Sequence, residues 1–369
     1  MESIARFSVT ALFVFVTPWP VATAQASQAA QQVPAAATAT GAGQQTAWHQ
    51  DFEKAAAWMQ TAHFAEAMPI LRQLVAAGDR GYPVRFNLAL CDVGTGEYAD
   101  AVVQLNELLK AGIDTAPMHN LLAQAYLGEG LHEAAWEQIQ RAARMAPTDE
   151  RMFALLMDAC TSHNDYALGL RVASLGLTTL PDSARLHYGN ALFLARLDRL
   201  DEARPEFARA AKLGTGTDIG ALASVQSSLY DDRYAAAAAT ARAAIAAGDG
   251  SAEMLALLGD VLLQGGAAPG QPAFAEARTA LESAAAKRPQ DATTQIALGS
   301  LYLRESAWAQ AVPHLEAGRL LEPDNPAIYA RLATAYRRLG NRVAAEQCTQ
   351  KLAALLQARQ SAREQSTRK

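Results

Sequence analysis

A period of 34 residues runs through most of this chain and restricts its fold more than any other feature. In His63-Phe64-Ala65-Glu66-Ala67 and again in Glu97-Tyr98-Ala99-Asp100-Ala101, an aromatic residue precedes a small one by three positions. Steps of 34 from Ala101 reach Ala135, Gly169, Ala203 and Ala237. Other positions keep the same phase. Leu88, Leu122 and Leu156 lie thirteen residues before their small anchors, Tyr126 lies nine before Ala135, and Ala142 and Ala210 lie seven after theirs. Pro147 and Pro181 are also 34 apart, where a residue without an N–H can end a helix at little cost. A six-residue, glycine-rich insertion, Gly265 to Gly270, followed by Gln271 and Pro272, shifts the register between two helices. The anchors then resume at Ala277, Ala311 and Ala345, with Pro289 and Pro323 again 34 apart. A fixed period of this length marks stacked supersecondary units, each of which buries too little surface to fold alone.

The apolar half of the composition is rich in Ala and Leu, and only 7% of the chain is aromatic. That mixture favours closely packed helices over sheet. Small anchors are needed where helix axes approach most closely, while Leu, Tyr and Phe fill the wider gaps. The expected fold class is therefore all-α, a solenoid of antiparallel helix pairs. Gly169 and Gly176 fall within one helix, and each should forfeit about 0.5–1 kcal/mol relative to Ala, which makes the fourth copy the expected weak point or bend.

The pattern resembles the tetratricopeptide repeat family. That family places Leu with Gly or Ala near the middle of helix A, Tyr three residues on, Ala early in helix B, and Pro near its end. The nearest matches are Leu298-Gly299 with Tyr302, Trp308, Ala311 and Pro323, and Leu332-Ala333 with Tyr336, Gly340 and Ala345. Leu258-Gly259 with Leu262 and Ala277 follows closely, as does Leu122-Ala123 with Tyr126, Gly130, Ala135, Ala142 and Pro147. Three copies depart from the pattern: Trp58 and Ser228 replace the helix A tyrosine, and Gly169 and Gly176 replace both helix B alanines. The resemblance covers residues 48–352 and implies about nine repeats in a right-handed superhelix, closed by a C-terminal capping helix and polar tail over 353–369.

It also implies that helix A side chains line a concave groove that takes an extended peptide or a helix. The family's groove positions map onto Asn120 and Gln124 in the third copy, Arg151 and Asp158 in the fourth, and Arg185, Tyr188 and Arg196 in the fifth. Gln226 and Tyr230 follow in the sixth copy, Glu253, Asp260 and Gln264 in the seventh, Arg304 in the eighth, and Arg337 and Arg338 in the ninth. The tyrosines offer amphipathic contact area, and the arginines can hold carboxylates with paired donors. The family's clamp for a chain-terminal carboxylate, a set of Lys and Asn residues on neighbouring copies, is not reproduced.

At the N-terminus an apolar run from Phe7 to Val16 is too short for an ordinary membrane span and leads to Ala22-Thr23-Ala24-Gln25-Ala26. This reads as a signal peptide over 1–26, cut after Ala24 or Ala26, followed by a lead-in of Ala, Gln, Thr, Gly and Pro up to residue 47. The expected location is the periplasm or the medium, with no transmembrane segment in the mature chain. The three cysteines, Cys91, Cys160 and Cys348, lie far apart inside expected helices and read as small core residues.

Catalytic signatures are thin. His132-Glu133-Ala134-Ala135-Trp136 begins like a zinc-peptidase helix motif but has Trp136 where the second histidine belongs, so His132 and Glu133 read as a solvated helix start. The seven histidines fall in different repeats without ligand spacing and read mostly as surface or turn residues. No nucleophile elbow or phosphate-binding loop motif is present. With 32 basic and 37 acidic residues the net charge is -5, which gives no footprint for nucleic acid. The expectation is a non-enzymatic scaffold for a protein or peptide partner, without cofactor, catalytic residue or metal. The alternative is an accessory subunit for export or assembly of an envelope polysaccharide or protein, as part of an envelope complex.

Overall fold

The computed structural model describes residues 42–79 and 81–366. The expected signal peptide and most of the lead-in lie outside the described residues. Among the described residues there are eighteen α-helices and no strand. They form nine pairs. The first four are α1 (Ala42–Gln60) with α2 (Phe64–Ala76), α3 (Tyr82–Thr95) with α4 (Tyr98–Lys110), α5 (Ala116–Gly128) with α6 (His132–Met145), and α7 (Glu150–Ser162) with α8 (Tyr166–Leu177). Next come α9 (Ala184–Arg196) with α10 (Leu200–Leu213), α11 (Asp218–Tyr230) with α12 (Tyr234–Ala246), and α13 (Ala252–Gln264) with α14 (Pro272–Lys287). The last two are α15 (Ala292–Arg304) with α16 (Trp308–Leu321) and α17 (Pro326–Arg338) with α18 (Arg342–Ser366). Helix α1 begins at Ala42, within the segment read as a lead-in.

The helices group into two compact units, one ending at Gly189 and one starting at Asn190, a boundary inside α9. In the first, α3 packs on α5 and α5 on α7. In the second, α11 packs on α13, α13 on α15 and α15 on α17. Odd-numbered helices thus form a continuous row within each unit.

The small anchors sit where the sequence requires them. Ala67, Ala101, Ala135, Ala203, Ala237, Ala277, Ala311 and Ala345 are all buried, as is Gly169. A Cβ on Gly259 would stand 3.2 Å from the carbonyl oxygen of Ala277, and one on Gly299 would stand 3.4 Å from that of Ala311, so helix A backbone lies directly on the anchor. Leu88, Leu122 and Leu156 fill the core beside these crossings.

Two turn devices recur in the same phase. Every turn from helix A to helix B contains one residue in the left-handed region: Ala62, Gly96, Gly130, Asn164, Asp198, Asp232, Gly266, Ser306 and Gly340, with φ between 56° and 93°. The left-handed residue of the seventh copy, Gly266, is in phase with the earlier ones, so the extra residues follow it. They add a second left-handed glycine, Gly270, and start α14 two residues before the buried Phe274. The turns into helix A carry polar caps, also in phase. Asp149, Ser183, Thr217, Ser251, Asp291 and Asn325 each accept a hydrogen bond from a backbone N–H in the first turn.

The fourth copy corrects one expectation. Gly176 is buried, and a Cβ there would lie 2.8 Å from Leu186 Cδ1 and 3.0 Å from the Phe153 ring. The glycine lets two large side chains close over the helix, so its role is close packing. The histidines depart from their expectation as well. His119 is buried, 2.7 Å from Gln138 Oε1 and 2.6 Å from Asp114 Oδ1, and His187 is buried with Nε2 2.9 Å from the Pro181 carbonyl oxygen. His132, the first residue of α6, is exposed and lies 2.7 Å from Asp165, the cap of α8. All three thiols are free and buried, and burial pushes that of Cys91 up to about 12.

Candidate partner-binding face

The sequence-derived groove residues separate into two groups. In the first unit most of them are internal or local. Asn120 is buried and its Nδ2 donates to the Met152 carbonyl oxygen across to the next helix A, at 3.3 Å. Gln124 lies one turn further along α5, and its Nε2 donates to Asn120 Oδ1 at 2.6 Å. Tyr188 is buried, so its ring is a packing group and not the accessible contact area expected of it. Arg151 is exposed, while Asp158 and Arg185 are half-buried.

In the unit from Asn190 onward the groove positions converge. Tyr230 lies 34 residues after Arg196 and Gln264 lies 34 after Tyr230, while Asp260 lies 34 after Gln226. Arg196, at the end of α9, places Nη1 3.2 Å from Glu322 Oε1 and Nη2 3.4 Å from Thr293 Oγ1. Glu322 follows the last residue of α16, 126 positions on, and its Oε2 accepts from Asn325 Nδ2 at 2.7 Å. The ion pair is largely covered, with 14% and 12% of the two side chains exposed.

Tyr230 is deeply buried and feels the charges of both Arg196 and Asp260; burial raises its phenol above the ordinary range. This corrects its reading as accessible contact area too. Asp260 is buried, and its Oδ2 accepts from Gln264 Nε2 at 2.6 Å. Burial pushes the Asp260 carboxyl up to about 7, against the opposing pull of the Gln264 hydrogen bond and of Arg331 and Arg304. Burial also lowers Arg331, which Asp260 partly offsets. Arg304 Nη1 donates to the Leu263 carbonyl oxygen at 2.8 Å, near the end of α13. Gln226 has no exposed surface, and neither its amide nitrogen nor its amide oxygen has a hydrogen-bond partner. Nearby, buried Glu253 pairs with Arg288, and burial raises its carboxyl.

Arg337 and Arg338 stand apart from this convergence. Both are exposed; Arg337 donates back to the Ala333 carbonyl oxygen at 3.1 Å, and Arg338 lies over the Trp308 ring at 5.6 Å. Sequence reasoning missed Glu322, Thr293 and Arg331. Glu322 and Thr293 lie at helix ends outside the groove pattern. Arg331 did carry a signal, because it is charged where Ala223, Leu257 and Ala297 occupy the same phase.

In the first unit one further charge cluster lies outside the groove pattern. Asp92, Glu97 and Asp100 gather within 4.8 Å of one another around Arg72, which hydrogen-bonds all three. Burial pushes Asp92 up to about 7, and Arg72 opposes the shift.

The geometry is that of paired helices with small anchors and a repeating left-handed turn, and two family models described as tetratricopeptide repeat match residues 59–125 and 163–217. The chain is a tetratricopeptide repeat protein. Its repeats are similar to those in the crystal structure of the APC/C hetero-tetramer Cut9-Hcn1, with 16% identity and a TM-score of 0.50 over 83% of this chain. This chain spans 60% of the length of that one. A tetratricopeptide repeat protein from Parabacteroides merdae is similar at 15% identity and a TM-score of 0.50, over 70% of this chain and 99% of that one. At such identities the likeness concerns the fold. No curated protein is significantly similar in sequence. Among the described residues no helix is long and apolar enough to cross a membrane. Tetratricopeptide repeats generally bind protein partners, and the helix A row is the part of this fold that faces them.

Proposed function

We propose that this tetratricopeptide repeat protein is a non-enzymatic scaffold that is exported to the periplasm or the medium and binds a segment of a protein partner along its odd-numbered helices. The observation that carries the binding reading is the convergence of Arg196, Tyr230, Asp260, Arg304 and Arg331, from five successive helices A, onto one electrostatically coupled cluster. A row of rigid helices presents such groups with little ordering cost to the scaffold, so most of the entropy loss falls on the partner segment. Export is supported by the apolar run and the small-residue series that follows it.

The binding reading is tested by recovery of partners from envelope extract with the unchanged chain and with Arg304→Glu/Arg337→Glu. Selective loss of one or more partners from the variant is expected; equal recovery of every partner removes this face from the account. Mass spectrometry of the mature N-terminus tests export, with a start at Gln25 or Ser27 expected and retention of Met1-Glu2 as the contrary result.

A further inference from the structure

In a repeat solenoid each unit touches its neighbours, and contacts between distant copies are absent from the basic plan. The unit from Asn190 onward breaks that plan. The Arg196–Glu322 ion pair and the Arg196–Thr293 contact link the fifth copy to the eighth, 126 and 97 residues away. The Asp260 and Arg331 charges face each other between α13 and α17, two copies apart. Glu322 and Asp260 are therefore not solvated groove edges; both are covered, and both carboxylates are aligned with guanidinium groups of the helix A row.

The charge balance around them is uneven. Three guanidinium groups, Arg196, Arg304 and Arg331, are set against the two carboxylates, in a chain whose overall charge is -5. One polar group of this face has no partner at all: Gln226, with no exposed surface, has an unsatisfied donor and acceptor one turn before Tyr230. A buried amide left in that state costs about 1–3 kcal/mol. It is satisfied once an extended backbone, which carries both a donor and an acceptor, lies beside it. Excess positive charge, internal carboxylates on the guanidinium groups, and an orphaned amide are the marks of a recognition face that is holding its own substitute ligand.

We infer that this face takes an acidic protein segment, and that Glu322 and Asp260 occupy the places of the partner's carboxylates until such a segment displaces them. The inference rests on the reading of the helix A row as the binding face and specifies both its partner chemistry and its resting state. An internal substitute lowers apparent affinity by the fraction of molecules in which it has released its site, so removing it raises affinity without adding any contact. Arg196 and Arg331 would hold the incoming carboxylates, and the Gln226 amide would meet the backbone between them.

The test is fluorescence anisotropy with full-length chain and fluorescein-labelled synthetic peptides of equal length, rich in glutamate, in lysine or in glutamine. Glu322→Gln is expected to bind the glutamate-rich peptide about tenfold more tightly than the unchanged chain, with the gain lost in Glu322→Gln/Arg196→Gln. Asp260→Asn, measured at a pH above 7, is a second variant with the same expected direction and keeps the test open should Glu322→Gln fold poorly by circular dichroism. An unchanged affinity in folded variants, or a gain shared by the lysine-rich peptide, overturns the inference. If the glutamine-rich peptide binds and that binding is lost in Arg304→Glu while the acidic peptide gains nothing, the acidic-segment inference falls and the binding-face reading stands. If no peptide and no envelope partner responds to any substitution in the helix A row, both fall.

Discussion

Gly128 and Gly176 show how narrowly single residues are constrained here. A Cβ on Gly128 would lie 2.3 Å from the ring of Tyr98, and one on Gly94 would lie 2.5 Å from Phe64, the same contact one repeat earlier. Alanine at Gly176 would gain helix propensity but press on Phe153 and Leu186. We expect the overpacking to win, with Gly176→Ala losing about 1–3 kcal/mol in urea unfolding. A net stabilisation would show that the site has slack. A second residue-scale consequence concerns Asp260, which faces Gln264 on its own helix, Tyr230 on α11, Arg304 on α15 and Arg331 on α17. Its carboxyl, ordinarily near 3.8, is raised to about 7, so between those values the folded chain holds more protons than the unfolded one. Stability from this group is full at low pH and is lost as pH rises toward 7. Asp92 contributes with the same sign. Melting curves between pH 4 and pH 8 should therefore show a decline that Asp260→Asn makes shallower; an unaltered slope would mean that this carboxyl does not titrate in that window.

At the scale of the element, the turns carry information that the helices do not. The left-handed position between helix A and helix B is glycine in four copies and Ala62, Asn164, Asp198, Asp232 or Ser306 in the other five. A left-handed L-residue costs about 1–2 kcal/mol, less for Asn and Asp, whose side chains can bond locally. Ser306→Gly should accordingly stabilise the chain by about 0.5–1 kcal/mol, whereas Gly340→Ala should destabilise it by about 1 kcal/mol, as chemical denaturation can measure. Equal and small effects at both sites would mean that the turn relaxes out of the left-handed region. The caps allow an independent check. Asp291 Oδ2 accepts from Thr294 N at 2.7 Å, and Asp291→Ala should cost about 1 kcal/mol.

Across the whole molecule, stability should spread by neighbour contacts, because within each unit helices pack chiefly on the same and adjacent copies. A bulky side chain at Ala135, which is fully buried, should therefore speed amide hydrogen exchange in α5–α8 and leave α15–α17 protected. Uniform acceleration along the chain would point to a single cooperative unit. The Arg196–Glu322 link is the exception to local coupling. It crosses 126 residues within one unit, and its loss in Glu322→Gln should raise exchange in both α9 and α16.

Much of this was legible in the sequence. The 34-residue period, the anchors from Ala67 to Ala345, and the cysteines as core residues follow from steric demand that repeats with every copy, and a repeating demand leaves a repeating trace. The groove pattern located Arg196, Gln226, Tyr230, Asp260 and Arg304, because helix A positions recur in the same way. What the sequence could not decide is which of these are open. Burial of Tyr188 and Tyr230, the Glu322 partner of Arg196, and the closeness of Arg331 to Asp260 depend on how far each copy rotates on the last. That rotation is summed over several interfaces, so the pairing of residues 126 positions apart is written in no single repeat and exists only once the copies are stacked.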